Sequence, residues 1–184
     1  MDLEEKVVAH EPIYDGAIIN VERQTVELPN GEKAYREIVH HSGAVAVMAI
    51  TPEQKMILVR QWRSPIARPT LEIPAGKLDS RDGDDPQHAA IRELNEEIRL
   101  HPDHLERLAG FYSSVGFSDE YMTLYLATDL RPVQSELPRD KGENLNIRAY
   151  SLAELKTMVK NGDIEDAKTV MAVWRFEMMQ QKSR

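Results

Sequence analysis

Apolar positions along this chain recur with two periods, one of a strand and one of a helix. From Ala17 to His41, Ile19, Val21, Val26, Leu28, Ile38 and Val39 stand singly among polar residues, and Asn30-Gly31 is a strong hairpin signal, so an antiparallel N-terminal element is predicted. Ala44–Ile50 (AVAVMAI) and Met56–Trp62 (MILVRQW) are nearly continuous apolar runs separated by Thr51-Pro52-Glu53-Gln54-Lys55, a turn-like composition, and they predict the centre of a sheet. Leu71-Glu72-Ile73-Pro74 predicts a short strand stopped by proline, after which Ala75-Gly76 permits a sharp change of direction and opens a loop.

The period then changes. Asp85 before Pro86 is a helix start, a side-chain acceptor ahead of the residue whose missing N–H does no harm at the first helical position, and the helix is predicted to run to about Ile98. Leu105–Ser114, Tyr121–Leu130 and Asn146–Tyr150 predict strands. Ser151 with Glu154 forms a capping box for a helix that Gly162 ends. A last helix from about Asp166 is expected to pack through Val170, Met171, Trp174 and Met178, as core or dimer contacts. Strands interleaved with helices favour an α/β fold, a mixed sheet sandwiched by helices, over a bundle or an all-β fold.

Composition narrows the function. The 184 residues, 41% of them hydrophobic, suffice for one sizeable core. No cysteine is present, so disulfide, thiolate and cysteine-nucleophile chemistry are excluded. The formal net charge of -8 argues against nonspecific nucleic-acid binding. No apolar stretch is long enough to span a bilayer and the N-terminus lacks an apolar signal core, which predicts a soluble, cytoplasmic protein with no membrane partner. An acidic protein that acts on phosphates needs local arginines and a hard cation, for which carboxylates are the natural ligands.

The stretch Ala75–Leu100, AGKLDSRDGDDPQHAAIRELNEEIRL, offers such carboxylates. On a helical wheel Ala90, Ile91, Leu94 and Ile98 share one arc, and Glu93, Glu96 and Glu97 fall in a second arc beside it. At these spacings like charges destabilise an isolated helix by roughly 0.2–0.5 kcal/mol per pair, a repulsion that a cation converts into ligation. The plain alternative is a solvated acidic face paired with Arg92 and Arg99. No G-x-S-x-G elbow and no phosphate loop of the G-x-x-x-x-G-K-[ST] type is present, and His101 and His104 lack further ligands for a transition metal.

Gly76 to Leu100 resembles the Nudix box, G-x5-E-x7-R-E-U-x-E-E-x-G-U with U a bulky apolar residue, and Arg92, Glu93, Leu94, Glu96 and Glu97 match its R-E-U-x-E-E heart. Arg36-Glu37-Ile38-Val39, GAVAV at Gly43–Val47, RQWR at Arg60–Arg63, EIPAGKL at Glu72–Leu78 and GFSDE at Gly116–Glu120 resemble the ADP-ribose pyrophosphatase branch of that superfamily. Three departures stand out. Two extra residues lie between Gly76 and the helix, Asp84 stands where the box has its first glutamate, and Arg99 replaces a glycine, so a rearrangement is expected at the helix end. Val115 takes the position of a proline usual in the GFSDE loop, which should loosen it.

The resemblance implies a Nudix-type α/β/α sandwich in residues 43–184, with an N-terminal β element in residues 1–42 that helps form a homodimer and part of the substrate site. It also implies magnesium, replaceable by manganese, held by Glu93, Glu97, Glu96 and the carbonyl of Ala75, with Arg92 as organiser. Glu143, ahead of Asp140 and Glu136, is the implied base, and Arg36, Arg63, Glu72, Gly116 and Glu120 would bind substrate. The expected reaction takes ADP-ribose to AMP and ribose 5-phosphate. Other nucleoside diphosphate sugars, a nucleoside triphosphate, or a binding or regulatory module with weakened catalysis are the rival readings.

Overall fold

The computed structural model describes residues 3–83, 85–139 and 144–182. It divides into two compact units, one of residues 1–44 and 110–122 and one of residues 45–109 and 123–184. In the first, strands β1 (Lys6–Asp15), β2 (Ile19–Glu27) and β3 (Lys33–His41) form an antiparallel sheet in the order β1-β2-β3. The predicted turn is there, with Gly31 at φ 84° and its N–H donating to the Leu28 carbonyl at 2.8 Å. The apolar pattern that predicts this element starts at Ala17 and does not extend to β1. Every residue of β1 is exposed, so the strand has no buried face and no alternation to betray it.

The second unit holds most of the core. β4 (Ala44–Ala49) and β5 (Lys55–Arg63) are the predicted central strands; β6 (Arg68–Glu72) pairs antiparallel with β5, and β7 (Ala75–Lys77) lies beside β4 where a loop was expected. After helix α1 (Pro86–Glu93), which continues as a π-turn over Leu94–Ile98, come β8 (Leu100–Tyr112), β9 (Tyr121–Pro132), β10 (Asn146–Ser151), α2 (Leu152–Asn161) and α3 (Ala167–Lys182). The strand orders are β10-β5-β6 and β7-β4-β9-β8.

Alternation in the two central strands shows why helices cover both sides. Val45, Val47 and Ala49 of β4 and Ile57 and Val59 of β5 pack with Ala89, Ala90, Leu94 and Ile98 of the site helix. The intervening Ala46, Met48, Met56 and Leu58 are equally buried, and Ile50 shares a cavity of about 500 Å³ with Leu126 and Phe176 of α3. That is the predicted α/β sandwich. The helix α3 buries Thr169, Ala172, Val173 and Phe176, whereas Trp174 and Met178 are exposed, so the predicted core role of those two is corrected. Their arc lies about 100–160° round the helix from Ala172 and Val173, on the side turned away from the core.

Candidate active site

The site helix starts as predicted, Asp85 accepting from the Gln87 N–H at 2.8 Å with Pro86 following. Burial of Leu94 and Ile98 is worth roughly 1.5–3 kcal/mol each, which exceeds the repulsion of a few tenths per pair among the helix carboxylates. Packing therefore sets the carboxylates in place. Glu93, Glu96 and Glu97 are 8, 4 and 1% exposed, so the solvated acidic face is not what forms. Carboxylates this deep need cationic partners.

Arg92 supplies much of that charge. Its Nη1 donates to Glu93 Oε1 at 2.6 Å and Glu96 Oε2 at 2.8 Å, and its Nη2 reaches the Lys77 carbonyl at 3.2 Å. Its Nε and Nη2 form a two-pronged pair with Asp82, both at 2.8 Å. Arg81 adds a second cation to Glu96, Nη1 to Oε1 at 3.0 Å. The Arg92 hydrogen bonds hold Asp82 below the usual carboxylate range and outweigh its burial, and the Asp82 contact raises the pKa of Arg92, whose charge is fixed.

Asp82 is not among the residues that the sequence singles out. It sits in a 3-10 turn, Ser80–Asp82, and its side chain completes a capping box with Asp79. Asp84, which counting back from Arg92 had put at the first acidic position of the motif, lies outside the described residues. Counting forward from Gly76 arrives at Asp82, and that count was the available signal.

Gly76 explains how strand and helix meet. A Cβ at this position would stand 1.9 Å from Glu93 Oε1 and 2.0 Å from its Cδ, so the Glu93 carboxylate rests on bare backbone next to Ala75. Among the described residues no group of three or more His, Asp or Glu side chains stands assembled as a metal cage, Glu93 and Glu96 both being turned to Arg92. The donor set nevertheless fits a hard cation: buried carboxylate oxygens on adjacent turns, those of Glu93 against the bare backbone of Gly76, where magnesium needs one or two carboxylates and takes waters and phosphate oxygens for the rest.

A second network occupies the end of β6. Glu72 is 2% exposed and accepts from Arg63 Nε and Nη2, both at 2.6 Å, from Thr70 Oγ1 at 2.5 Å, and from Lys168 Nζ. Burial would raise its pKa, but these hydrogen bonds and the Lys168 charge bring it down to about 2. Lys168 also donates to Asp166 Oδ1 at 2.9 Å. Arg63, Glu72, Asp166 and Lys168 line a cavity of about 380 Å³ with Thr70 and Ile66. Arg63 and Glu72 are thus brought together, and Lys168, 96 positions from Glu72, was not foreseen.

The remaining candidates belong to the first unit. Arg36 is paired with Glu5, Nε to Oε2 at 2.9 Å, and donates to the Tyr35 carbonyl. In the GFSDE loop Gly116 has open space around the place of a Cβ. Glu120 lies 3.7 Å from His41 Nδ1. The Val39 N–H donates to the Phe117 carbonyl at 2.7 Å and the Asp119 N–H to the Val39 carbonyl at 3.2 Å, so the loop is tied to β3 despite Val115. His40 adds a side-chain tie, Nδ1 to Asp119 Oδ2 at 2.6 Å and Nε2 to Glu22 at 3.1 Å, and Asp119 first and Glu22 second raise its pKa.

The segment before β10 folds back on the helix end. Glu136 is paired with Arg99 at 3.2 Å, while Asp140 and Glu143 lie outside the described residues. Arg99 itself takes the left-handed conformation, φ 62°, that the missing glycine would have supplied. The expected rearrangement takes the form of the π-turn before it.

Residues 40–173 match the NUDIX domain. An ADP-ribose pyrophosphatase of Bacillus subtilis is 40% identical over 96% of this chain and 94% of that protein. A methanol dehydrogenase activator of Bacillus methanolicus is 40% identical over 96% of this chain and 95% of its own length. An ADP-ribose pyrophosphatase of Mycobacterium tuberculosis is 33% identical over 91% and 81%. A crystal structure of an ADP compounds hydrolase superimposes on the whole chain and on 97% of its own with a TM-score of 0.84 at 23% identity, a likeness of fold.

Proposed function

Because the chain belongs to the NUDIX domain family, we propose that it is a pyrophosphohydrolase of nucleoside diphosphate sugars that uses magnesium, with manganese able to replace it, and cuts ADP-ribose to AMP and ribose 5-phosphate. One observation carries the reading: a chain alignable almost end to end with an ADP-ribose pyrophosphatase keeps, on one buried helical face, the arginine-clamped carboxylates of R-E-L-N-E-E.

In the proposed mechanism water attacks one phosphorus of the P–O–P link, the bond from that phosphorus to the bridging oxygen breaks, and a carboxylate takes the proton the water loses. A divalent cation, when bound, offsets the charge of the diphosphate and makes water a better nucleophile. Glu93, Glu97, Glu96 and the Ala75 carbonyl are the groups that would hold it. Arg92 orients Glu93 and Glu96 while Asp82 holds Arg92. Glu72 engages the Nε and Nη2 edge of Arg63, which leaves the Nη1 edge to meet phosphate or ribose oxygens. Arg36, Gly116 and Glu120 are retained as substrate contacts, and Glu143 as the base.

The β1-β2-β3 sheet is the proposed homodimer surface, since β1 is exposed throughout and presents Val7, Val8, Ile13 and Tyr14. A cytoplasmic protein without nucleic-acid or membrane partners agrees with the charge of -8.

A panel of diphosphate sugars and nucleoside triphosphates, incubated with and without magnesium and resolved by chromatography, tests the proposal. Equimolar AMP and ribose 5-phosphate from ADP-ribose, only with metal, is the expected result. Tight binding of ADP-ribose with no cleavage of any panel member would instead support a regulatory module, the reading that likeness to the methanol dehydrogenase activator favours.

A further inference from the structure

The end of the site helix is built unlike its beginning. A helix leaves its last carbonyls without intrahelical partners, and a π-turn spaces the final bonds irregularly. Here the carbonyls concerned are those of Glu96 and Glu97. The π-turn Leu94–Ile98 closes on Arg99, whose N–H donates to the Asn95 carbonyl at 3.2 Å. Arg139, more than forty positions later, donates from Nε to the Glu96 carbonyl at 3.1 Å and from Nη2 to the Glu97 carbonyl at 3.0 Å. One planar fork thus spans two consecutive carbonyls, which a point-charge ammonium matches less well. A cation at a helix C-terminus is further favoured by the helix dipole.

The approach of Arg139 is fixed by the segment that carries it. The side chain of Asn95 donates from Nδ2 to the Ser135 carbonyl at 2.9 Å and accepts from the Leu137 N–H at 2.9 Å, the pair of bonds that a neighbouring strand would make. The Val133 N–H donates to the Arg99 carbonyl at 3.2 Å, and Arg99 Nη1 bonds the carbonyls of Asn95 and Leu137. Residues 133–139 are therefore bound along the helix end, and Arg139 is delivered to the main chain of the two residues whose side chains turn inward.

From this geometry we propose that Arg139 is a positioning residue: by tying down the carbonyls of Glu96 and Glu97 it sets the direction in which their carboxylates meet a divalent cation. This rests on the reading of Glu96 and Glu97 as cation-binding residues. It separates Arg139 from a residue that only stabilises the fold, because the backbone it holds is that of the ligands themselves. Positioning errors of about 1 Å in such a site cost far more in binding and rate than in stability.

Manganese titration by electron paramagnetic resonance, without substrate, decides the matter on wild type, Arg139→Ala and Arg139→Lys, alongside thermal melting and hydrolysis of ADP-ribose. Arg139→Ala is expected to weaken manganese binding threefold or more and to lower kcat, with KM for ADP-ribose changed less than twofold and Arg139→Lys falling between the two. A change in manganese affinity of less than threefold in Arg139→Ala, whatever the melting temperature, overturns the proposal. If Arg139→Ala does not fold, Arg139→Lys carries the test, and an affinity equal to wild type overturns it. Wild-type protein that binds manganese but cleaves no ADP-ribose defeats the proposed activity alone, and the ratio of affinities still decides the role of Arg139. Wild-type protein that binds no manganese overturns both.

Discussion

At its first turn the site helix is secured by neighbours in the chain: Asp85 caps the Gln87 N–H, Pro86 fills the first position, and Asp82, ten residues before Arg92, holds the arginine that orients Glu93 and Glu96. At its last turn the supports come from far away. Arg139 and residues 135–137 reach back some forty positions to Asn95, Glu96, Glu97 and Arg99. The contrast separates two tasks that one helix must perform. Side-chain direction at Glu93 is fixed locally, by a salt-bridge fork and by the missing Cβ of Gly76. Main-chain direction at Glu96 and Glu97 is fixed globally, by a segment that must first be in place.

The largest expected effect lies at the far end. Glu97→Gln keeps shape and burial but removes the charge, and turnover of ADP-ribose is expected to fall at least about a hundredfold, the low end of what a carboxylate central to such chemistry supplies. Circular dichroism and melting should remain near wild type. Near wild-type turnover at saturating magnesium would remove Glu97 from the ligand set and with it the weight given to this end.

Next in size is a residue off the helix, which shows what substrate binding looks like when neither end is touched. Arg63→Ala loses a charge-assisted contact, expected to cost about 1.5–3 kcal/mol, read as a KM raised roughly ten- to a hundredfold with kcat little changed. The same change leaves Glu72 buried with Lys168 and Thr70, so some stability is lost too. A large drop in melting temperature with KM unchanged would make Arg63 a structural partner of Glu72 and nothing more.

The near end is tested by Gly76→Ala. The new Cβ would meet the Glu93 carboxylate, the far end of a flexible side chain, so the fold can give way cheaply while that carboxylate is pushed aside. Turnover is expected to fall about tenfold, with stability within about 1 kcal/mol of wild type, since surroundings that move easily add little strain. Loss of stability without loss of turnover would mean that the strand yields and Glu93 stays.

These two ends were unequally legible in the sequence. The R-E-L-N-E-E heart and the Asp85-Pro86 start could be read because their partners lie within a few residues and helical spacing alone brings them together. Asp82 is reached only by counting forward from Gly76, because the two-residue insertion before the helix moves the count back from Arg92 to Asp84. The fold's central strands were legible from AVAVMAI and MILVRQW because burial on both faces leaves continuous apolar runs. Strand β1 was not, having no buried face, and neither were Lys168 against Glu72 or Arg139 against the helix end, which only tertiary folding brings together. The likeness to ADP-ribose pyrophosphatases was legible through short motifs that family resemblance, not periodicity, made meaningful.

The smallest expected effect concerns Arg99, where local and distant supports compete in one residue. Its φ of 62° is the left-handed conformation that costs a residue with a Cβ roughly 1–2 kcal/mol relative to glycine. Against that cost stand its guanidinium bonds to the carbonyls of Asn95 and Leu137 and an ion pair with the mostly exposed Glu136, which by itself is worth about 0–1 kcal/mol. Arg99→Ala removes those bonds and keeps the strained conformation, whereas Arg99→Gly removes both. Glycine is therefore expected to melt above alanine by about 2–4 °C, the shift that about 1 kcal/mol produces in a chain of this size. Wild type should lie close to the glycine variant, since the guanidinium bonds offset the strain of the left-handed turn. Both variants should keep turnover within about twofold, because the Asn95 side chain still binds Ser135 and Leu137 and so still delivers Arg139 to the carbonyls of Glu96 and Glu97, and a twofold rate change is only about 0.4 kcal/mol. If the two variants melt together, the left-handed turn is not what separates them, and the distant supports alone close the helix.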